Sequence, residues 1–220
     1  MLPQKLTELK HKLIEYATLV EEMIDKSIKG LLDKNEVFLY EVMKKDEPRS
    51  NIFDVEIDEM CTVLIAQYEP VARDLRTVLM ILKMNKDLER MADHAVNISE
   101  SGIFLIKRPS IISFADIKKM AETSSTMLKD SISSFIDNNV TLAQEVCERD
   151  TIVDNLGDTI LKEVTNFMKG EHDGINRSLQ IMRVAHNLER IADLSTNICE
   201  EVIYIVEGKD IKHHKDDVNA

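Results

Sequence analysis

The sequence is poor in residues that form tight turns or large aromatic cores. Its 220 residues include no Trp, 4 Pro and 6 Gly, and only 5% are aromatic, whereas 44% are hydrophobic. A β-sheet protein of this length would need more turn residues, so the composition favours long helices that pack through Leu, Ile, Val, Met and Ala. A chain this long can bury a core without disulfides or metal ions.

Three further shortages narrow the function. A formal net charge of -12 argues against nucleic-acid binding, which needs concentrated Lys and Arg, and favours cations or basic protein surfaces. No apolar run approaches the roughly 18 residues of a membrane span, and no signal-type segment is seen. The cysteines are few, far apart and without metal-ligand spacing, which indicates buried thiols in a reducing compartment: Cys61, Cys147 and Cys199. We therefore expect a cytoplasmic protein that reaches a membrane only through protein partners.

One motif occurs twice, about one hundred residues apart. Leu88-Glu89-Arg90-Met91-Ala92-Asp93 is matched by Leu188-Glu189-Arg190-Ile191-Ala192-Asp193, and each copy continues to an Asn-Ile pair. A repeat of this size implies two copies of one helical unit packed together.

The spacing of apolar residues predicts three helices in each unit. The first unit has a helix from Leu6 to about Leu32, a second from Asn35 that Pro48 kinks or breaks, and a third from Val71 to Ile106. The second unit repeats this order, with a capping Ser113 before its first helix. We predict an all-α fold of two tandem, similar three-helix bundles, residues 1–109 and 110–208, followed by a flexible polar tail, residues 209–220.

Carboxylates lie beside the apolar seam of the last helix in each unit. Glu89 and Asp93 share one helix face, as do Glu189 and Asp193, because residues four apart are neighbours on a helix. On the preceding helix of the second unit, Asp150, Asp154 and Asp158 follow at the same step. If these two helices pack with the acidic stripes adjacent, up to five carboxylates converge.

An oxygen-rich cluster of this kind suits Mg²⁺, Mn²⁺, iron or Zn²⁺. Spacing alone favours the alternative, an acidic edge that is solvated and paired with Lys86, Arg90, Arg183 or Arg190. The histidines near the motifs, His94 and His186, are more typical of hydrogen-bonded residues at the core edge than of ligands. His94 is expected to face away from the cluster.

The matching stripe in the first unit is weaker. Asp46 corresponds to Asp150, Asn51 corresponds to Asp154 after a one-residue excess around Pro48, and Asp54 is the next carboxylate. Because Asn51 supplies no negative charge, we expect a first-unit site to bind metal less tightly.

Catalysis has no positive support in the sequence. Ferritin-like di-iron sites use Glu-x-x-His, but Ala92 and Ala192 stand three residues after the motif glutamates. No nucleophile with an adjacent base and no Gly-rich phosphate loop is seen. We therefore do not expect an enzyme, although two alternatives stay open: a metal-dependent enzyme on the same carboxylates, and a metal-free helical adaptor.

The two Leu-Glu-Arg motifs, the segment Pro70-Val71-Ala72-Arg73-Asp74-Leu75-Arg76 and the Asp150/Asp154 stripe together resemble the PhoU family of bacterial phosphate-uptake regulators. The resemblance extends from about Leu6 to Gly208. It implies two similar three-helix bundles with multinuclear iron or zinc clusters on the motif carboxylates: Glu89, Asp93, Asp150, Asp154, Glu189 and Asp193.

The resemblance also implies a biological role. Members of the family act in the cytoplasm between the phosphate ABC transporter and a sensor histidine kinase, as negative regulators of the phosphate-starvation response. On this interpretation the protein works through protein contacts as a homo-oligomer, with a dimer favoured, and bound metal tunes or stabilises it.

Overall fold

The computed structural model describes residues 1–170 and 174–208, and these residues form helices joined by short turns, with no β-strand among them. The all-α prediction is confirmed. In chain order the elements are α1 (Leu2–Leu32), α2 (Glu36–Glu41), a π-helical segment (Val42–Asp46), α3 (Glu47–Tyr68), α4 (Ala72–Ile106), α5 (Ala115–Asp137), α6 (Val140–Gly170) and α7 (Ile175–Glu207).

The apolar seams of α4 and α7 are buried as predicted. Their residues recur at alternating steps of three and four, which keeps one stripe of a helix facing its neighbours. The buried seam positions are Ile81, Met84, Leu88, Met91, Ala95 and Ile98 on α4, and Ile181, Val184, Leu188, Ile191, Ser195 and Ile198 on α7. The motif carboxylates, one position beyond Leu88 and Leu188, are thereby held at the edge of each bundle.

The two bundles share one core. α1, α3 and α4 form the first bundle and α5, α6 and α7 the second, while α4 packs along α7 and α1 along α5. A single cluster of buried apolar residues spans both halves. α4 and α7 are antiparallel, since His94 contacts Asn187 at 2.7 Å and Lys83 contacts Glu201 at 3.5 Å.

The chain stays helical through Pro48, so the predicted break is wrong, while the alternative of a kink stays a prediction. The π-helical segment precedes this residue, with the N–H of Glu47 bonded to the carbonyl of Val42, and Pro48 lies in the first turn of α3. Proline is common in the first turn of a helix, where its fixed φ suits the helical backbone.

The π-helical segment accommodates the one extra residue that the first unit has, relative to the second, near Pro48. A single inserted residue is commonly absorbed in a helix as one π turn. Up to the first residue of the segment, buried Leu39 and Val42 align with buried Ala143 and Val146 of α6. After it, the alignment shifts by one position, as the buried pairs show: Ser50 with Val153, Ile57 with Ile160, and Cys61 with Val164.

Some predictions about local structure are corrected or lie outside the described residues. The residue before α5 is Phe114 rather than Ser113, although the Ser113 hydroxyl accepts a hydrogen bond from the Ala115 N–H at 3.2 Å. The predicted flexible tail, residues 209–220, is outside the described part of the chain. None of the described helices combines the length and the apolar character needed to cross a bilayer.

Candidate functional site

Each bundle brings its motif carboxylates close to the preceding long helix. In the first bundle, the pKa of Glu89 is raised by burial and by the neighbouring Asp93 and Asp54 charges. In the second, burial and Asp154 raise the pKa of Asp193, while Arg190 opposes them. The structure therefore groups Glu89, Asp93 and Asp54 on one edge, and Asp193 and Asp154 on the other.

In the first bundle, the cation among the carboxylates is a lysine of the protein itself. Lys86 Nζ lies 2.9 Å and 3.1 Å from the two carboxylate oxygens of Asp54 and 2.8 Å from Asp58 Oδ2. The Asn85 amide donates to the same two carboxylates at 2.8 Å and 3.0 Å. A metal ion that used Asp54 would have to displace this ammonium group.

The two other weak candidates of the first bundle are not part of this group. Asp46 is fully buried and forms ion pairs with Lys26 at 2.6 Å and Arg49 at 3.5 Å. Asn51 is exposed on α3, and neither residue is among the groups that perturb Glu89. Asp46 therefore has a structural role at the π segment.

In the second bundle, Asp158 and Glu189 line an open groove between α6 and α7. Asp193 pairs with Arg190 at 2.8 Å, and Asp154 and Asp158 are exposed on α6. Glu189 lies close to Gly157, since a Cβ on that glycine would be 3.6 Å from Glu189 Oε2. The groove has a volume of about 510 Å³, and its lining includes Asp158, Leu161, Leu179, Met182, His186 and Glu189.

The repeat alignment shows how the two edges differ in their side chains. Asn85 and Lys86 of the first bundle correspond to Ala185 and His186 of the second. Asp54 and Asp58 correspond to Gly157 and Leu161. Asn85, Lys86, Asp54 and Asp58, which bind one another in the first bundle, are thus all replaced in the second. Lys86 was predicted only as one of several possible partners of the acidic edge, and aligning the two units at their different offsets would have indicated its pairing with Asp54 and Asp58.

The two histidines have different surroundings. His94 Nδ1 hydrogen-bonds to Asn187 Oδ1 at 2.7 Å, and burial lowers the pKa of this imidazole. His94 is therefore a hydrogen-bonded residue at the edge of the core, as expected. Its imidazole ring faces α7 of the other bundle. His186 is exposed and lines the groove.

The side chains as placed do not form a metal site. Within residues 1–170 and 174–208, no three or more His, Cys, Asp or Glu side chains are grouped so that they could hold an ion. The expected convergence of five carboxylates is not found there. A metal at the second edge would need Asp193 to leave Arg190.

Comparison with known proteins gives matches over nearly the whole chain. The model of the PhoU domain family matches twice, at residues 13–102 and 117–202. The phosphate-specific transport system accessory protein PhoU homolog of Aquifex aeolicus is 37% identical over 96% of this chain and 95% of its own length. The protein of the same description from Clostridium acetobutylicum is 35% identical over 94% of both chains.

Solved structures agree with this similarity. The crystal structure of PhoU from Pseudomonas aeruginosa superposes with a TM-score of 0.91 at 28% identity, covering 95% of this chain and all of the other. The phosphate transport system regulatory protein PhoU from Streptococcus pneumoniae gives a TM-score of 0.88 at 27% identity, covering 96% and 99% of the two chains.

Proposed function

The chain belongs to the PhoU family, and from this premise we propose that it is an accessory protein of a phosphate transport system. In this role it is a negative regulator of phosphate uptake and of the phosphate-starvation response. The observation that carries the proposal is the match of both repeats to relatives of this description over almost their full length.

The proposed mechanism is contact with other proteins. The protein acts in the cytoplasm as a homodimer, and its partners are the phosphate ABC transporter and a sensor histidine kinase. A continuous core across both bundles supports such a role, because it presents the outer helix faces as one surface. We assign no catalytic step to the chain.

Deletion of the gene tests the regulatory role. In cells grown in high phosphate, a reporter of the starvation response is expected to become active in the deletion strain and to be silenced again by the wild-type gene on a plasmid. Normal repression in the deletion strain would remove the proposal.

Metal binding, with iron or zinc as the main candidates, is proposed for the second bundle. Among its carboxylates, Asp193 pairs with Arg190, whereas in the first bundle Lys86 already binds Asp54 and Asp58 of α3. Asp154 and Asp158 are exposed, so their side chains can reorient at little packing cost. Bound cations would then hold α6 and α7 together and fix the surface offered to partners.

Two matched double variants test the metal proposal. Glu189→Ala with Asp193→Ala is expected to lose bound metal, measured by elemental analysis of purified protein, while circular dichroism shows most of the helix retained. Glu89→Ala with Asp93→Ala is the control and is expected to lose less. Equal metal content in the wild type and the second-bundle variant would contradict the proposal.

A further inference from the structure

Two of the three cysteines meet in the second bundle. Cys147 lies on α6 and Cys199 on α7, far apart in the chain, and the packing of these two helices brings their side chains together. The thiols are in hydrogen-bond contact, and both are free rather than joined in a disulfide. The sequence indicated isolated buried thiols, so a contacting pair needs a separate explanation.

The register of α6 against α7 explains the contact. Gly157 of α6 lies close to Glu189 of α7. Ten residues back along α6 and ten residues forward along α7 lead from this contact to Cys147 and Cys199. Because an α-helix rises about 1.5 Å per residue, both paths cover about 15 Å, and the two cysteines lie at the same level of an antiparallel pair. The thiols are therefore held together by two long helices packed along their length.

The two cysteines differ in their access to solvent. Cys199 is fully buried, whereas Cys147 is only partly buried. The hydrogen bond to Cys147 and burial raise the pKa of Cys199, while the charge of Arg149 opposes the shift. Cys199 therefore keeps its proton at neutral pH and donates it to the sulfur of Cys147 in this contact. A small reagent from solvent reaches Cys147 first.

The first repeat shows that the fold does not need this pair. Cys199 corresponds to Ser99 of α4, and residues 36–46, which correspond to the start of α6, contain no cysteine. Ser99 is buried and donates a hydrogen bond to the carbonyl of Ala95 at 2.9 Å. A hydroxyl thus fits at the place where the second bundle has the buried thiol.

We propose that Cys147 and Cys199 are an oxidation site, at which a hydroperoxide converts the two thiols to an intramolecular disulfide that ties α6 to α7. The inference rests on the contact between the thiols and on their different exposure. It does not depend on the proposed function.

The reaction uses both thiols and one molecule of hydrogen peroxide. The sulfur of Cys147, as thiolate, attacks one peroxide oxygen, the O–O bond breaks, and the other oxygen leaves as hydroxide, so that Cys147 becomes a sulfenic acid. The sulfur of Cys199 then attacks the sulfur of Cys147, and the S–S bond forms as the hydroxyl group leaves with the proton of Cys199 as water. The thiols lose two electrons and two protons in total, and the peroxide is reduced to two molecules of water.

The disulfide would tie two helices that have no other such connection near their acidic edge. In the first bundle, the ion pairs of Lys86 with Asp54 and Asp58 join α4 to α3. These groups are replaced in the second bundle. Because a disulfide in a reducing compartment is transient, a dithiol should reverse the oxidation.

Mass spectrometry of the purified full-length protein tests the site. Reduced protein is treated with hydrogen peroxide, unfolded, and alkylated with iodoacetamide. We expect the wild type to lose the mass of two hydrogens, to keep Cys61 as its one alkylated thiol, and to release a proteolytic fragment that joins the peptides of Cys147 and Cys199. A link through Cys61, a link between two copies of the chain, or no link would overturn the proposal.

Serine variants test the order of the two steps. In Cys199→Ser, which has the residue of the first bundle at this place, oxidation of Cys147 should stop at the sulfenic acid, and dimedone should trap it. In Cys147→Ser, oxidation of Cys199 should be about ten-fold slower or more, because this thiol is buried. Cys61→Ser is the matched control and should form the link at the wild-type rate. Oxidation of Cys199 at the wild-type rate without Cys147 would contradict the proposed order.

Urea unfolding tests whether the disulfide ties the helices together. The linked wild type should unfold at a urea concentration about 1 M higher than the reduced protein, and dithiothreitol should abolish the difference. Cys199→Ser should unfold at the same concentration with and without peroxide. Equal midpoints for the linked and the reduced wild type would refute the tie between α6 and α7.

Discussion

Lys86 and His186 occupy equivalent positions in the two bundles, and the difference between them changes the chemistry of the two acidic edges. Lys86 places a fixed positive charge between Asp54 and Asp58. His186 is exposed and leaves the groove between α6 and α7 open. At this scale, Lys86 was predicted as one of the cations that could pair with the acidic edge, but its binding to Asp54 and Asp58 of α3 was not predicted.

Glu21 provides a residue-scale prediction away from the acidic edges. It lies on α1, and its pKa is raised above the ordinary 4.5 chiefly by burial, with Lys129 of α5 opposing the shift. The ionised form is therefore disfavoured by folding. This penalty is full above the folded-state pKa and disappears as the pH falls to the unfolded-state value.

Glu21→Gln should accordingly stabilise the protein at pH 7 by about a few tenths of a kcal/mol, because solvent screens a part-buried charge. The gain should vanish near pH 4. Urea unfolding at both pH values checks this, with Glu22→Gln on the exposed side of the helix as the matched control. An equal gain at both pH values would show that the cause is not ionisation.

At the scale of elements, the helix that contains Pro48 shows how a sequence irregularity is absorbed. The apolar pattern correctly located both halves of this helix, and Pro48 predicted an interruption between them. The observed π segment instead keeps the chain helical and returns Ile57 and Cys61 to the core. A pattern of apolar residues does not distinguish a break from a π turn, because both shift the stripe by one position.

Deletion of the exposed Lys45 tests the link between the extra residue and Pro48. The deletion should convert the π turn to a regular α-helix, in which the Pro48 ring clashes with the preceding turn, at a cost of about 3 kcal/mol. Pro48→Ala should relieve most of this cost in the deletion variant but have little effect in the wild type. The four free energies of unfolding form a double-mutant cycle, and additive values would disprove the link.

At the scale of the whole molecule, the two repeats form one structure. The division into domains at residues 1–109 and 110–208 stays a prediction. The helices of the two halves share a continuous core, and α4 packs along α7. The His94–Asn187 contact and the ion pair of Arg183 with Glu100 at 2.9 Å join the same two helices. Neither half could expose this interface to water without losing apolar burial.

We therefore expect the chain to unfold in one cooperative step. Cys61 and Cys199 are buried in the first and second bundles, and burial raises the pKa of the Cys61 thiol to about 12, so both should resist thiol reagents while folded. The test uses two variants, one that keeps only Cys61 and one that keeps only Cys199. The two thiols should become reactive at the same urea concentration. Earlier exposure of either thiol would show that the bundles unfold separately.

The sequence by itself determined the helices, their buried seams and the duplication, because these depend on the local spacing of apolar residues and on a repeated motif. It also located the carboxylates on their helix faces. Only the tertiary structure decided that Lys86 binds Asp54 and Asp58, that Asp46 is buried with Lys26, and that the second bundle carries the open groove. These contacts join residues distant in sequence, so they depend on how helices pack, which local spacing does not specify.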